Sequence, residues 1–204
     1  MGVKSFCLVS VILIFGGTIE VFARSGLLEH IKQIRSFESD FIEYRYDQDE
    51  RLIVSVTGTC KLMKPDMFRW HYLNANEKQL FTSDGITLWI YEPDLEQVFI
   101  KEASQIESSP VLKLLSQKAG SDGLYKVDQL PSIDWYRVSL ASENPEFSVD
   151  VQYVDQVIKS IRSVDPSGYS TVIDFVNSKI NIVFKISDFQ FVVPPGIDVI
   201  NDYN

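Results

Sequence analysis

Between Leu52 and Leu62 every second residue is apolar or small (Leu52, Val54, Val56, Gly58, Cys60, Leu62), and Ser55, Thr57, Thr59 and Lys61 fill most of the places between. A period of two puts each set on its own face of a β-strand. A strand with one apolar face needs neighbours and a cover for that face. The same alternation returns in Phe68, Trp70 and Tyr72 after a Lys64-Pro65-Asp66 turn, and in Phe147, Val149, Val151 and Tyr153 set against Ser148, Asp150 and Gln152. Asp84-Gly85 between Leu80-Phe81-Thr82 and the run Ile86 to Tyr91 reads as a hairpin turn. Glu92-Pro93-Asp94 closes that strand, and Gln97 to Lys101 and Trp135 to Leu140 read as further strands. Asp165-Pro166-Ser167-Gly168 is a turn, and Asn177-Ser178 is expected to join a strand over Thr171 to Val176 to one over Lys179 to Ile186. In that last strand Ile180, Ile182, Phe184 and Ile186 would share a face.

Two segments break the period. Leu27, Leu28, Ile31 and Ile34 fall at helical spacing and predict an amphipathic helix whose other face is charged. Ser109-Pro110-Val111-Leu112-Lys113-Leu114-Leu115-Ser116 predicts a short apolar helix, with Ser109 as cap, Pro110 at the first helical position, and Gly120 and Gly123 ending it. The economical architecture is one antiparallel sheet with two helices. Two short helices cover a long aromatic face only if the sheet curls, so the expected fold is an open barrel with the helices as plug or lid. The space beneath the lid could be packed solid or left hollow; a hollow there would be apolar and would take a hydrocarbon or lipid.

Met1 to Ala23 has the layout of a signal peptide: one early charge at Lys4, an apolar run from Phe6 to Phe15, and Val21-Phe22-Ala23 before the expected cleavage point. The apolar run is too short to span a bilayer. The expected organisation is therefore a signal peptide over 1–23 and a single exported domain over 24–204. Cleavage removes Lys4 and Glu20 from 19 basic and 28 acidic residues, so 18 and 27 remain and the charge stays at −9. It also removes Cys7 and leaves Cys60 without an intramolecular partner. An acidic chain without clustered Lys and Arg is not built to bind nucleic acid.

Catalysis has little support. His30 and His71 have no partner at metal-ligand spacing, and His71 falls on the strand face opposite Trp70 and Tyr72. Cys60, among Val56, Gly58 and Leu62, reads as a buried structural thiol. No nucleophile elbow, P-loop or dinucleotide fingerprint occurs. The expectation is a protein that is not an enzyme and has no cofactor or metal.

The run Lys61-Leu62-Met63-Lys64-Pro65-Asp66-Met67-Phe68-Arg69-Trp70, followed by Ser83-Asp84-Gly85-Ile86-Thr87-Leu88-Trp89-Ile90-Tyr91-Glu92-Pro93-Asp94-Leu95-Glu96-Gln97-Val98, resembles the LolA family of periplasmic outer-membrane lipoprotein carriers. The helix leading into Phe37-Glu38-Ser39-Asp40-Phe41, the Ser-Pro segment at 109–116, and Phe189-x-Phe191-x-x-Pro194-Pro195-Gly196 extend the likeness to both ends. It is weakest from Gly120 to Ser163.

The resemblance implies a mainly β fold with α: an incomplete antiparallel β-barrel, a curved half-barrel hollow on its concave side, covered by a helical lid that opens for acyl chains. It implies a monomeric chaperone loaded by an inner-membrane ABC-type lipoprotein-releasing complex and unloaded by an outer-membrane receptor lipoprotein. The cavity and lid residues it points to are Ile31, Ile34, Phe68, Trp70, Val111, Leu112, Leu114 and Leu115. Phe68 matches an aromatic used in accepting cargo. Lys64 stands where well-known members carry an arginine that ties the lid shut; a lysine offers a point charge in place of a planar fork. An envelope-stress sensor binding lipid on the same half-barrel is the alternative reading, although such proteins usually carry a second domain; the pathway's receptor lipoprotein would need a lipobox cysteine.

Overall fold

The computed structural model describes residues 18–74, 78–104, 110–115, 125–140 and 148–202. Helix α1 (Thr18–Gln33) leads into strand β1 (Ser36–Tyr46), and β2 (Leu52–Met63), β3 (Met67–Tyr72), β4 (Leu80–Asp84), β5 (Thr87–Glu92) and β6 (Gln97–Glu102) follow as a meander. Helix α2 (Pro110–Leu115) separates them from β7 (Tyr125–Gln129), β8 (Trp135–Leu140), β9 (Ser148–Val154), β10 (Val157–Val164) and β11 (Ser170–Ile180), with β12 (Asp198–Asn201) last. All twelve strands form one sheet in the order β12-β6-β5-β4-β3-β2-β1-β11-β10-β9-β8-β7. β11 returns to pair with β1, so the meander of β2 to β6 and that of β7 to β11 become two wings of a single sheet. The edges β7 and β12 do not meet. The sheet is an open, curved half-barrel with the helices on its concave side.

Ile34 lies just beyond the end of α1, its N–H still donating to the His30 carbonyl at 3.2 Å, and its side chain is buried. Ser109, Gly120, Gly123 and Phe147 lie outside the described residues, as does the expected signal peptide up to residue 17. α1 runs continuously through the expected cleavage point after Ala23.

Three expectations need correction. The hairpin turn sits one residue later: Ser83 pairs with Leu88, which leaves Gly85 and Ile86 at the tip. The Asp84 carboxylate accepts the N–H groups of Ile86 and Thr87, Gly85 takes φ +91°, and Ile86 is exposed. Asn177-Ser178 is not a turn. β11 is continuous to Ile180, and the register jumps from Glu38↔Lys179 to Asp40↔Val176, so the two residues form a bulge opposite Ser39. Asn177 accepts φ 58°, and the Ser39 hydroxyl bonds the Val176 carbonyl at 2.8 Å. Finally, Ile182, Phe184 and Ile186 do not line a strand. β11 ends at Ile180, and Asn181 ties that end to β1, its N–H on the Ser36 carbonyl and its side-chain oxygen accepting the Arg35 N–H.

From there the chain crosses the outer face of the first wing. A one-turn 3-10 helix at Ile186–Phe189 seats Phe189 in a small second core with Leu80, Thr82 and Val98. The Thr82 hydroxyl lies 3.1 Å from the carbonyl oxygens of both Phe68 and Phe189, and Phe191 meets Tyr91 at 5.2 Å between ring centres. The chain then adds β12 to the β6 edge in parallel. Both faces of this wing are thus covered, the outer by the C-terminal segment and the inner by the helices.

Candidate functional site

Opposed residues of paired strands share a face, so the registers define the inner surface. Phe37, Phe41 and Glu43 of β1 stand opposite Leu62, Gly58 and Val56 of β2. Leu62, Cys60 and Gly58 in turn face Phe68, Trp70 and Tyr72 of β3. Ile173 and Phe175 carry the surface into the second wing, where Ile161, Val151, Val149, Tyr136 and Val138 continue it. His71 falls on the other face, as expected from its alternation with Trp70 and Tyr72.

The middle of the surface is aromatic. Phe41 stacks on Trp70 with centres 4.4 Å apart and planes 30° apart. Phe175 stands edge-on to Phe37 at 5.2 Å and to Trp70 at 6.5 Å. Gly58 makes the stack possible: a Cβ there would run into the Phe41 ring and the His71 carbonyl oxygen. Phe41, Phe37 and Phe175 were not among the expected site residues. In β1 the signal for Phe37 and Phe41, a period of two, is interrupted by Ser39, Glu43 and Arg45 on the same face, and Phe175 lies on β11.

The two helices close over this surface. Leu27 and Ile31 of α1, Ile34 beyond it, and Val111, Leu114 and Leu115 of α2 are all buried, in one continuous cluster with Phe68, Trp70 and the inner residues of both wings. Leu112 is only half-buried and sits at the margin of that cluster. The structure therefore brings together every expected cavity and lid residue, with the lid shut. α2 has only six residues. A helix that short has no independent stability in water and is held by its packing alone.

One polar contact adds to that packing. The Lys64 ammonium donates to the Ile31 carbonyl at 2.8 Å. Ile31 lies in the last turn of α1, where carbonyls lack helical partners and carry partial negative charge. Burial lowers the Lys64 pKa to about 8. Its backbone N–H bonds the Arg35 carbonyl at 2.9 Å, so the β2–β3 turn is fixed to the helix exit.

Cys60 is buried and its thiol pKa is raised by desolvation, so it stays protonated. Burial lowers the His30 pKa, and the ring packs against Tyr153 at 5.5 Å. Burial and the nearby Arg69 charge lower the pKa of His71. Among the described residues no three His, Cys, Asp or Glu side chains converge as a metal site. None of the described helices is long and apolar enough to cross a membrane.

A sheet open at both edges, bent around an aromatic face and shut by a helix too short to stand alone, defines the class: a lidded half-barrel. Solved structures share the fold, among them an uncharacterized conserved protein from Thermus thermophilus (TM-score 0.52, 10% identity, covering 88% of this chain and 99% of that one). Another is a protein of a family of unknown function from Desulfovibrio piger (TM-score 0.51, 12% identity, 81% and 96%). In sequence, the outer-membrane lipoprotein carrier protein of Hahella chejuensis is 30% identical over 188 residues, covering 89% of this chain and 88% of the relative. That of Methylococcus capsulatus is 29% identical over 192 residues, covering 92% of each. The model of the outer membrane lipoprotein carrier protein LolA family matches residues 32–192, and the chain belongs to that family.

Proposed function

We propose that this protein is a periplasmic lipoprotein carrier. It accepts lipoproteins released from the inner membrane by an ABC-type complex, shields their acyl chains between the sheet and the lid, and delivers them to an outer-membrane receptor lipoprotein. The observation that carries this reading is the shut lid over an aromatic concave face, with the lid's own leucines and isoleucine occupying the place an acyl chain would take. Each buried methylene contributes about 0.8 kcal/mol, so acyl chains do not cross water unshielded. A carrier must also release them. Apolar side chains of the lid that refill the site on unloading keep both states close in free energy.

In this reading Phe68 and Trp70 form the floor met by incoming chains, Ile31, Ile34, Val111, Leu112, Leu114 and Leu115 form the displaced cover, and Lys64 latches it. Export with cleavage after Ala23 retains Arg24 to Gln33 of α1, which includes Leu27 and Ile31. The test is mass spectrometry of material copurified from the periplasm. A lipid-modified peptide is expected. A protein that carries none, and takes up no hydrophobic fluorophore, would overturn the proposal.

A further inference from the structure

Glu43 is the one buried charged residue among those described, 4% exposed, and it belongs to the concave face. It stands opposite Val56 on one side and Ile173 on the other, both buried. Its carboxylate is built in: the Tyr72 hydroxyl donates to Oε2 at 2.8 Å, and the Arg45 Nε donates to Oε1 at 2.6 Å. The Arg45 guanidinium also lies 6.0 Å from the centre of the Tyr72 ring. Tyr72 in turn stands edge-on to Phe41 at 5.4 Å, so the aromatic floor passes directly into this ionic group.

A carboxylate held by two donors is not displaced by methylenes, because either partner left alone in an apolar site loses its hydrogen bonds and its counter-charge. We propose that Glu43, Arg45 and Tyr72 form a polar stop at one end of the acyl site and set the length of chain it accepts. This rests on the carrier reading above. The site is bounded at the other end by the Lys64 contact to α1, beside the start of β1. From Phe37 to Glu43 the strand advances six residues, about 20 Å at ~3.4 Å each. An extended hydrocarbon lying along the strand gains ~1.3 Å per methylene from tetrahedral C–C geometry. The span therefore takes a saturated chain of about fifteen or sixteen carbons, and further carbons meet the stop.

The experiment measures displacement of a hydrophobic fluorophore from the full chain by saturated monoacylglycerols of about 10 to about 20 carbons. In the unaltered protein, affinity is expected to rise about fourfold per added carbon and then level off near sixteen. In Glu43→Leu the plateau should move to longer chains. Tyr72→Phe, which deletes one hydroxyl, should move it in the same direction and serves if Glu43→Leu does not fold. A plateau unmoved in both variants, or affinity still climbing at the longest chain in the unaltered protein, would overturn the stop while leaving the carrier reading intact. No displacement at any length overturns the carrier reading instead.

Discussion

If the Lys64 contact to α1 latches the lid, lid opening is expected to depend on pH, in the sense opposite to what a simple ion contact would give. In the shut state burial brings its pKa from the ordinary 10.5 down to about 8. With the lid raised the ammonium is solvated and returns toward its ordinary value. Between those two values the open state binds more protons, so raising the pH through this window favours the shut state. Below pH 8 both states are charged and the full penalty of burying the ammonium is present; above it the penalty is relieved, while the neutral amine still donates to the Ile31 carbonyl. A pKa brought from 10.5 to about 8 would correspond to about 3 kcal/mol. Lys64 is only partly buried, so solvent screening reduces this to roughly 1 kcal/mol, a fivefold change in the balance of shut and open lids. The assay is stopped-flow uptake of a hydrophobic fluorophore between pH 7.5 and 10. The rate limited by lid opening should fall about fivefold across the window. That dependence should vanish in Lys64→Met, and in Lys64→Arg, whose guanidinium stays charged throughout. Cys60 and Tyr72 are displaced above this window and His30 and His71 below it. Uptake that quickens with pH, or an unchanged profile in Lys64→Met, would refute the reasoning.

Two further substitutions separate the sheet from its cover. Gly58→Ala forces a methyl group into the Phe41 ring and the His71 carbonyl, and should destabilise the whole protein by about 1–3 kcal/mol. That is a fall in melting temperature of about 3–10 °C for a chain of this size; an unchanged melting temperature would remove the packing role of Gly58. Leu114→Ala empties a fully buried site on α2, a change of about 2–5 kcal/mol in a fixed core. On the carrier reading α2 lifts by itself, so the expected result is stronger fluorophore uptake with little change in global melting. A full loss in melting temperature and unaltered uptake would show α2 to be an integral part of the core.

The strands with clean alternation were legible from sequence because one set of side chains, such as Phe68 and Trp70 in β3 or Val149 and Val151 in β9, is buried and the set between is less so. β1 was not legible, although it lies at the centre of the sheet. Its buried positions include Ser39 and Glu43 as well as Phe37 and Phe41, and its charges satisfy partners that only the fold supplies, such as Tyr72 and Arg45 for Glu43. β10 was hidden by a register shift between Ile158 and Ser160 that buries Ile158, Ser160 and Ile161 against the expected period. The segment after β11 misled in the opposite sense. Ile180, Ile182, Phe184 and Ile186 alternate like a strand, but the bulge at Asn177-Ser178 and the left-handed Asn181 turn the chain out of the sheet. The helices were legible in position and in facing. The Lys64 contact was reached through resemblance, because the hydrogen bond joins residues 33 apart.

For a carrier, the C-terminal crossing would offer a way to be used repeatedly. Phe189, Leu80, Thr82 and Val98 are sealed on the convex side, in a core separate from the one beneath the helices. A raised α2 would therefore leave that convex core untouched, and a framework that receives one load would survive to receive the next. Opening is a local event on one side of a hull whose other side is already sound.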